Sequence, residues 1–245
     1  MRLLMIRHGD PDYEHDCLTE KGKREAKLLS QRLVNEKLDH VFVSPMGRAK
    51  QTALYTLDKT GHSYQICDWL QEFTPRIHRP DLPDELSIPW DFRASDWMER
   101  ESFYDRNAWK NDPIMMEGHT GEAYDRIIEE LDKLLCAYGY EYNGKWYEVK
   151  HSNHDTIVFF CHFGVQCVIL SHLLNLPLMP LLHGCIAAPT AVTELYTQEP
   201  IKGCATFRMT RYGDVSHLIT NGETPSDSGR FVECFEDEGR HQEAV

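Results

Sequence analysis

Leu3-Leu4-Met5-Ile6-Arg7-His8-Gly9 is an apolar run that stops at a cation, an imidazole and a glycine. Four consecutive apolar residues suit a strand buried on both faces, as in a parallel sheet covered by helices. Gly9 allows a sharp turn directly after it. Arg7 and His8 then stand at the carboxyl end of a strand, where open α/β sheets bind their ligands. A guanidinium at that depth is costly unless it meets an anion, and its planar fork suits a phosphate or a carboxylate. Taken alone, the stretch also reads as a strand end and a turn with Arg7 in a surface ion pair, so the rest of the chain has to decide.

The pattern returns at Asp155-Thr156-Ile157-Val158-Phe159-Phe160-Cys161, the strongest buried-strand signal in the chain, which ends at His162-Phe163-Gly164 and leads into a helix predicted over 165–174. A third junction follows a short strand at 39–43. Ser44-Pro45 reads there as an N-cap and first-turn pair, with Arg48 in the first turn and Gln51 and Thr52 one turn on. Free backbone N–H groups and the dipole favour an anion at each of these helix starts. An isolated Arg48 would otherwise pair with a surface acid.

Between these junctions the chain gives further candidates. Asp10 to Asp16 is a polar, Pro-broken loop beside the proposed site and carries Asp10 and Glu14. Thr19 caps a helix running to about Asn35. A strand at 64–67 precedes Glu72, whose neighbours Trp69 and Phe73 would raise its pKa and fit it as a general acid, with a solvated loop carboxylate as the alternative. From Thr74 to His119 tryptophans, prolines and charges mix, which marks an excursion at the active end of the sheet. Arg76, His78, Arg79 and Arg93 are its candidates for substrate contact, each with a surface role as the alternative. A helix is predicted over 124–136, a hairpin turn at Asn143-Gly144, and strands at 191–197, 205–210 and 215–219. His151-x-x-His154 lacks a carboxylate or thiol to complete a metal set, so no metal site is expected.

The chain has 245 residues, 41% of them hydrophobic and 27% charged, enough for one sizeable core. We read residues 1–220 as a single domain with 74–117 inserted as a cap, and 221–245 as an acidic mobile tail, with docking through Phe231, Val232 and Phe235 as the alternative. The eight cysteines form no Cys-x-x-Cys pair and look like reduced, packed thiols. No apolar run is long enough to span a bilayer, and Arg7 and His8 interrupt any signal-peptide core, so a cytoplasmic protein is expected. The net charge of −13 disfavours nucleic acid and anionic membrane as partners. Oligomeric state stays open, a homodimer included. The expected fold is a three-layer α/β/α sandwich with a mostly parallel mixed sheet.

Leu4-Met5-Ile6-Arg7-His8-Gly9, Leu18-Thr19-x-x-Gly22, Ser44-Pro45-x-x-Arg48-Ala49-x-Gln51-Thr52-Ala53 and a strand ending in His162 before Gly164-Val165 together resemble the histidine phosphatase superfamily, phosphoglycerate-mutase-like branch. The resemblance spans residues 1 to 72 and 118 to 197. It implies His8 as a nucleophile that becomes a phosphohistidine, and Arg7, Arg48 and an imidazolium at His162 as the groups holding the phosphoryl oxygens, with no metal. It also implies Glu72 as the proton donor to the leaving alkoxide, and hence a bell-shaped pH profile. Three departures stand out. Asp10-Pro11 follows the glycine, Glu14 occupies a position where many members carry a phosphate-touching Asn, and Phe163 replaces a small residue while still offering its backbone N–H. Because 74–117 lacks the arginine-rich segment of phosphoglycerate mutases, a phosphatase of a small metabolite is the first reading. A cofactor-dependent mutase, primed by 2,3-bisphosphoglycerate, is the second, and a non-catalytic phospholigand binder the third.

Overall fold

Alternate residues of a strand face opposite ways, and here both ways are buried. In β1 (Arg2–Arg7), Leu3 and Met5 join one apolar cluster while Leu4 and Ile6 join another across the sheet. The computed structural model describes residues 1–230 and 233–234, so the choice between a mobile tail and docking at Phe231, Val232 and Phe235 lies outside the described residues.

After β1 a tight hairpin, β2 (Pro11–Asp12) and β3 (Cys17–Leu18), leads into α1 (Glu20–Leu33), whose N-cap Thr19 accepts a hydrogen bond from the Gly22 N–H at 3.0 Å. β4 (His40–Val43), α2 (Gly47–Thr60) and the edge strand β5 (Gln65–Ile66) follow. The inserted region holds a hairpin of β6 (Ile77–Arg79) and β7 (Leu82–Ser87), then α3 (Ala94–Trp97) and α4 (Pro113–Glu117). α5 (Thr120–Ala137), the hairpin β8 (Tyr140–Tyr142) and β9 (Tyr147–Val149), and β10 (Thr156–Cys161) come next. α6 (Phe163–Leu174), α7 (Leu178–Gly184), β11 (Val192–Ile201), β12 (Cys204–Asp214) and α8 (Ser216–Ile219) complete the chain.

The main sheet runs β5-β4-β10-β1-β11-β12-β9-β8. Its first four strands are parallel, and β11, β12, β9 and β8 extend it with antiparallel pairings. α1 and α2 cover one face through Leu29, Leu33, Ala53 and Leu57, and α5, α6 and α7 cover the other. α6 is buried on every side from Phe163 to Leu173, as an apolar helix caught between sheet and helices must be. The chain leaves β1 toward β4 and leaves β10 toward β11, so the strand order reverses between β1 and β10. That is the crevice where doubly wound sheets bind ligands. The inserted residues Phe92, Phe103, Trp109 and Met115 share the core of α5 and α6.

Two local expectations change. Ser44-Pro45 does not open α2, which starts at Gly47 with Met46 as its N-cap, because the Ser44 hydroxyl is drawn to His162 at 2.8 Å. Of residues 215–219, expected as a strand, 216–219 form α8 and Val215 is its N-cap. The Asp214 carboxylate accepts from the Ser216 N–H at 2.8 Å and turns the chain, while the His217 ring reaches the Thr190 hydroxyl at 3.0 Å. Among the described residues no helix is long and apolar enough to cross a membrane.

Gly22 shows how tightly the first loop is folded onto α1. A β-carbon there would stand 2.2 Å from the Asp10 carbonyl oxygen and 2.9 Å from the Asp10 nitrogen, both backbone atoms that no rotamer change relieves. Gly22→Ala would gain about 1 kcal/mol in helix propensity and lose about 2 to 3 kcal/mol to this overlap. We expect a net fall in melting temperature on the order of 4 °C, measured by calorimetry.

Candidate active site

Parallel strands in register bring their ends to one place. Arg7 pairs with Cys161 and Phe160 with Val43, so His8, His162 and Ser44 emerge side by side. The His8 N–H donates to the Cys161 carbonyl at 3.0 Å, and the His8 carbonyl accepts from the Thr190 N–H at 3.0 Å. The two imidazole rings lie 5.0 Å apart between centroids.

His8 Nδ1 lies 2.8 Å from the Gly9 carbonyl oxygen. A carbonyl only accepts, so Nδ1 carries the proton and the lone pair of the neutral ring sits on Nε2. Burial, then the charges of His162, Arg7 and Arg48, hold His8 well below the ordinary imidazole range. His162 is lowered likewise by burial and the two arginines, so the imidazolium implied by the resemblance is neutral in the free site. Its Nε2 meets the Ser44 hydroxyl at 2.8 Å, and its buried Nδ1 has no partner among the described residues. With the Ser44 O–H donating to Nε2, Nδ1 carries the ring proton.

Arg7 is buried, and its Nη1 donates to the Ala187 carbonyl at 2.7 Å and the Ser228 carbonyl at 3.2 Å. Arg48 is buried at the first turn of α2, where its Nη1 pairs with Asp16 Oδ1 at 2.7 Å and its guanidinium lies 5.2 Å from the Tyr13 ring centre. The Nε atoms of both arginines are buried without a partner among the described residues. Thr52, one turn on from Arg48, accepts from the Gly9 N–H at 2.9 Å and donates to the Arg48 carbonyl at 2.8 Å, which ties the two junctions together.

Glu72 follows a 3₁₀ turn at Asp68–Leu70. Its Oε1 accepts from the Phe73 N–H at 2.8 Å and from the Val165 N–H, in the first turn of α6, at 3.1 Å. Burial raises its pKa, with those bonds and the two arginines opposing. Gly164 permits the approach, for a β-carbon there would lie 2.7 Å from Glu72 Oε1.

The other candidates separate. Phe163 is buried, with its ring 5.9 Å below the Arg7 guanidinium. Asp10 turns from the site. Its carboxylate accepts from the hydroxyls of Thr19, at 2.6 Å, and Ser226, and its N–H donates to Glu25 at 2.8 Å. Glu14 is exposed on the turn between β2 and β3. Arg79 and Arg93 both reach Asp81, His78 meets Glu117 at 2.8 Å, and Arg76 is exposed, so their partners lie largely within the inserted region. His151 and His154 are exposed, and among the described residues no three metal-ligating side chains are grouped to hold an ion.

Four residues of the site escape sequence reasoning. Ser44 reads only as a cap, Asp16 and Tyr13 only as loop, and Glu25 as one more charge on α1. Residues 221–230, expected in the mobile tail, carry contacts to the domain, one of them to Arg7. Ser226 bonds Asp10, the Ser228 carbonyl takes Arg7, and Glu223 pairs with Arg24 at 3.0 Å.

Glu25 supports the loop that sets His8. It is fully buried, and burial beside Asp10 pushes its carboxyl up to about 7. A folded-state pKa above the unfolded one gives stability that is complete below about pH 4.5 and fades as pH rises through 7. At 1.36 kcal/mol per unit the loss is on the order of 3 kcal/mol. Urea unfolding of Glu25→Gln between pH 5 and 8 should lack this loss; a slope equal to wild type would reject the assignment.

The fold and the five convergent groups define a phosphoryl-handling class, and comparison with known proteins gives the family. The model of the histidine phosphatase superfamily (branch 1) matches residues 3–206. The chain belongs to that superfamily. It is 25% identical over 195 residues to the adenosylcobalamin/alpha-ribazole phosphatase of Salmonella typhi, covering 75% of this chain and 84% of that protein. It is 35% identical over 151 residues to phosphoserine phosphatase 1 of Hydrogenobacter thermophilus, covering 54% of this chain and 65% of that one. The phosphoserine phosphatase structure from Entamoeba histolytica shares the fold, with a TM-score of 0.57 and 16% identity over 89% of this chain and 98% of that one.

Proposed function

We propose that this protein is a metal-independent phosphomonoester hydrolase that acts on a small phosphorylated metabolite through a phosphohistidine at His8. One observation carries the reading. The His8 Nδ1–H is tied to the Gly9 carbonyl at 2.8 Å, so the Nε2 lone pair is free, and His162, Arg7 and Arg48 all stand near enough for their charges to act on this ring. That set matches a phosphoryl group, which needs an in-line nucleophile and donors for three equatorial oxygens.

In the first step the Nε2 lone pair forms the N–P bond while the P–O bond to the leaving group breaks, and the leaving oxygen takes the proton of Glu72. Arg7 and Arg48 offset the charge spread over the phosphoryl oxygens, and His162 donates a neutral hydrogen bond. In the second step the Glu72 carboxylate takes a proton from water as its oxygen attacks phosphorus, and the N–P bond breaks. Burial raises the Glu72 pKa, which suits it to serve first as acid and then as base. Relatives named as phosphatases support hydrolysis over transfer to a second acceptor.

The test is phosphate release from p-nitrophenyl phosphate in the presence of a chelator, with rapid quenching to trap the enzyme. Turnover with an acid-labile, base-stable phosphoryl group on His8 is expected. Turnover that stops with the chelator, or a trapped enzyme without phosphate, would overturn the reading.

A further inference from the structure

The proton of Glu72 goes to the leaving oxygen, so the leaving group lies on the Glu72 side of the phosphoryl group. On that side stands Trp90. A β-carbon on Gly164 would lie 2.7 Å from Glu72 Oε1 and 2.7 Å from the Trp90 indole, so the two meet over the same glycine. Trp90 is also one wall of a cavity of about 360 Å³. Phe92, Trp97 and Phe163 are further walls, and the Phe163 ring lies 5.9 Å below the Arg7 guanidinium. Phe163, against Arg7, and Trp90, over the same glycine as Glu72, thus set this cavity beside the two groups without either of them lining it.

Two of its polar side chains carry buried acceptor atoms. His183 lines it, stacked on Trp97 at 4.9 Å between centroids. His183 Nδ1 lies 2.8 Å from the Met179 carbonyl and so holds the ring proton, which leaves Nε2 an acceptor, buried and without a partner among the described residues. Burial lowers its pKa to about 4, so the ring stays neutral. Asp91 lines the same cavity, is 2% exposed, and its Oδ2 is buried without a partner among the described residues. Burial lifts its carboxyl to about 6, opposed by a backbone hydrogen bond at Ile88 and by the charges of Arg79, Arg76 and Arg93. The cation that lines the cavity, Arg230, is exposed and pairs with Asp227 at 3.2 Å. Buried acceptors of this kind call for donors. Aromatic walls take a planar apolar body. A carboxylate on the leaving group would meet a like charge at Asp91 and no donor at His183 Nε2.

We propose that this cavity is the leaving-group site, and that the substrate is a phosphate ester of an alcohol bearing a planar ring with an O–H or N–H donor, rather than a small carboxylate-bearing alcohol. This rests on the phosphatase reading above and goes beyond it in naming the substrate class. Trp97 and Asp91 are then specificity residues that act on the alcohol, remote from the phosphoryl group.

The test is a series of alkyl phosphates with similar leaving oxygens: ethyl phosphate, 2-phenylethyl phosphate, 2-(4-hydroxyphenyl)ethyl phosphate and phosphoserine. The hydroxyphenyl ester should exceed ethyl phosphate in kcat/KM by about 100-fold, with the phenyl ester between them and phosphoserine no better than ethyl phosphate. Trp97→Ala should cut the hydroxyphenyl-to-ethyl ratio about tenfold or more, and the isosteric Asp91→Asn should cut the hydroxyphenyl-to-phenyl ratio. Calorimetry with the free alcohol 2-(4-hydroxyphenyl)ethanol gives a readout independent of turnover, and binding weakened in both variants is expected. Equal kcat/KM across the series, or a preference for phosphoserine, would overturn the leaving-group site while leaving the phosphatase reading intact. No turnover of any ester, with the free alcohol still bound, would overturn the phosphatase reading and the proposed substrate with it.

Discussion

His8→Ala should lower kcat for phosphomonoester hydrolysis by at least about 10⁴-fold, with inorganic phosphate still bound. The size of the loss follows from what remains. Removing the nucleophile of a hydrolase that forms a covalent intermediate can cost about 10⁶ in kcat, and a residual acceleration survives from positioning and charge alone. Here Arg7, Arg48 and His162 would supply that remainder. His162 should not substitute as the nucleophile, because its Nε2 is engaged by the Ser44 hydroxyl at 2.8 Å. Phosphate affinity should change little, since the donors to its oxygens stand on other backbone positions and the rings are 5.0 Å apart. Stopped-time assays with calorimetric titration of phosphate check both halves. Activity within tenfold of wild type would remove His8 from the chemistry, and lost phosphate binding would mean that the variant had disturbed the site rather than its nucleophile.

The parts of this site that are legible without the structure are those written into single strand ends. An apolar run closed by Arg7-His8-Gly9, another closed by His162, and a short strand followed by Arg48 each declare themselves locally, because β-strand burial and helix starts have short-range signatures. The parallel register then carries them to one edge. What the sequence hides is the closure between distant loops. Asp16 reaches Arg48 and the Gly47 N–H from a left-handed turn at φ 46°, and no local pattern says which acid of the 10–16 loop will do so. Glu14 looks the more consequential carboxylate in the sequence, yet it faces solvent while Asp16 folds back. Ser44 is legible as a residue but not as a partner, for its role depends on β4 lying beside β10, 118 positions away. Ser226 and Ser228 are hidden by composition, since a polar acidic stretch reads as solvated even where hydrogen bonds to Asp10 and Arg7 hold it.

Glu72→Gln separates acid catalysis from everything else the site does, because its effect depends on the leaving group. A poor leaving group such as an alkoxide needs the proton as the P–O bond breaks, so kcat for ethyl phosphate should fall by about 10³-fold, within the usual range for a positioned general acid. p-Nitrophenolate leaves without help, so phosphorylation of His8 from p-nitrophenyl phosphate should stay within about tenfold of wild type. The intermediate should then accumulate, since an amide in place of the carboxylate cannot take a proton from the water that frees His8. The amide oxygen still accepts from the Phe73 and Val165 N–H groups that hold Glu72 at 2.8 and 3.1 Å, so the backbone around Gly164 is preserved. The pH profile gives a second signature. Wild-type kcat/KM for an alkyl phosphate should rise with pH as His8, lowered well below its ordinary range, loses its proton, and should fall as Glu72, raised by burial, loses its own. In the Glu72→Gln variant the rising limb should remain and the falling limb disappear. Retention of the falling limb, or equal losses on the two esters, would place the general acid elsewhere.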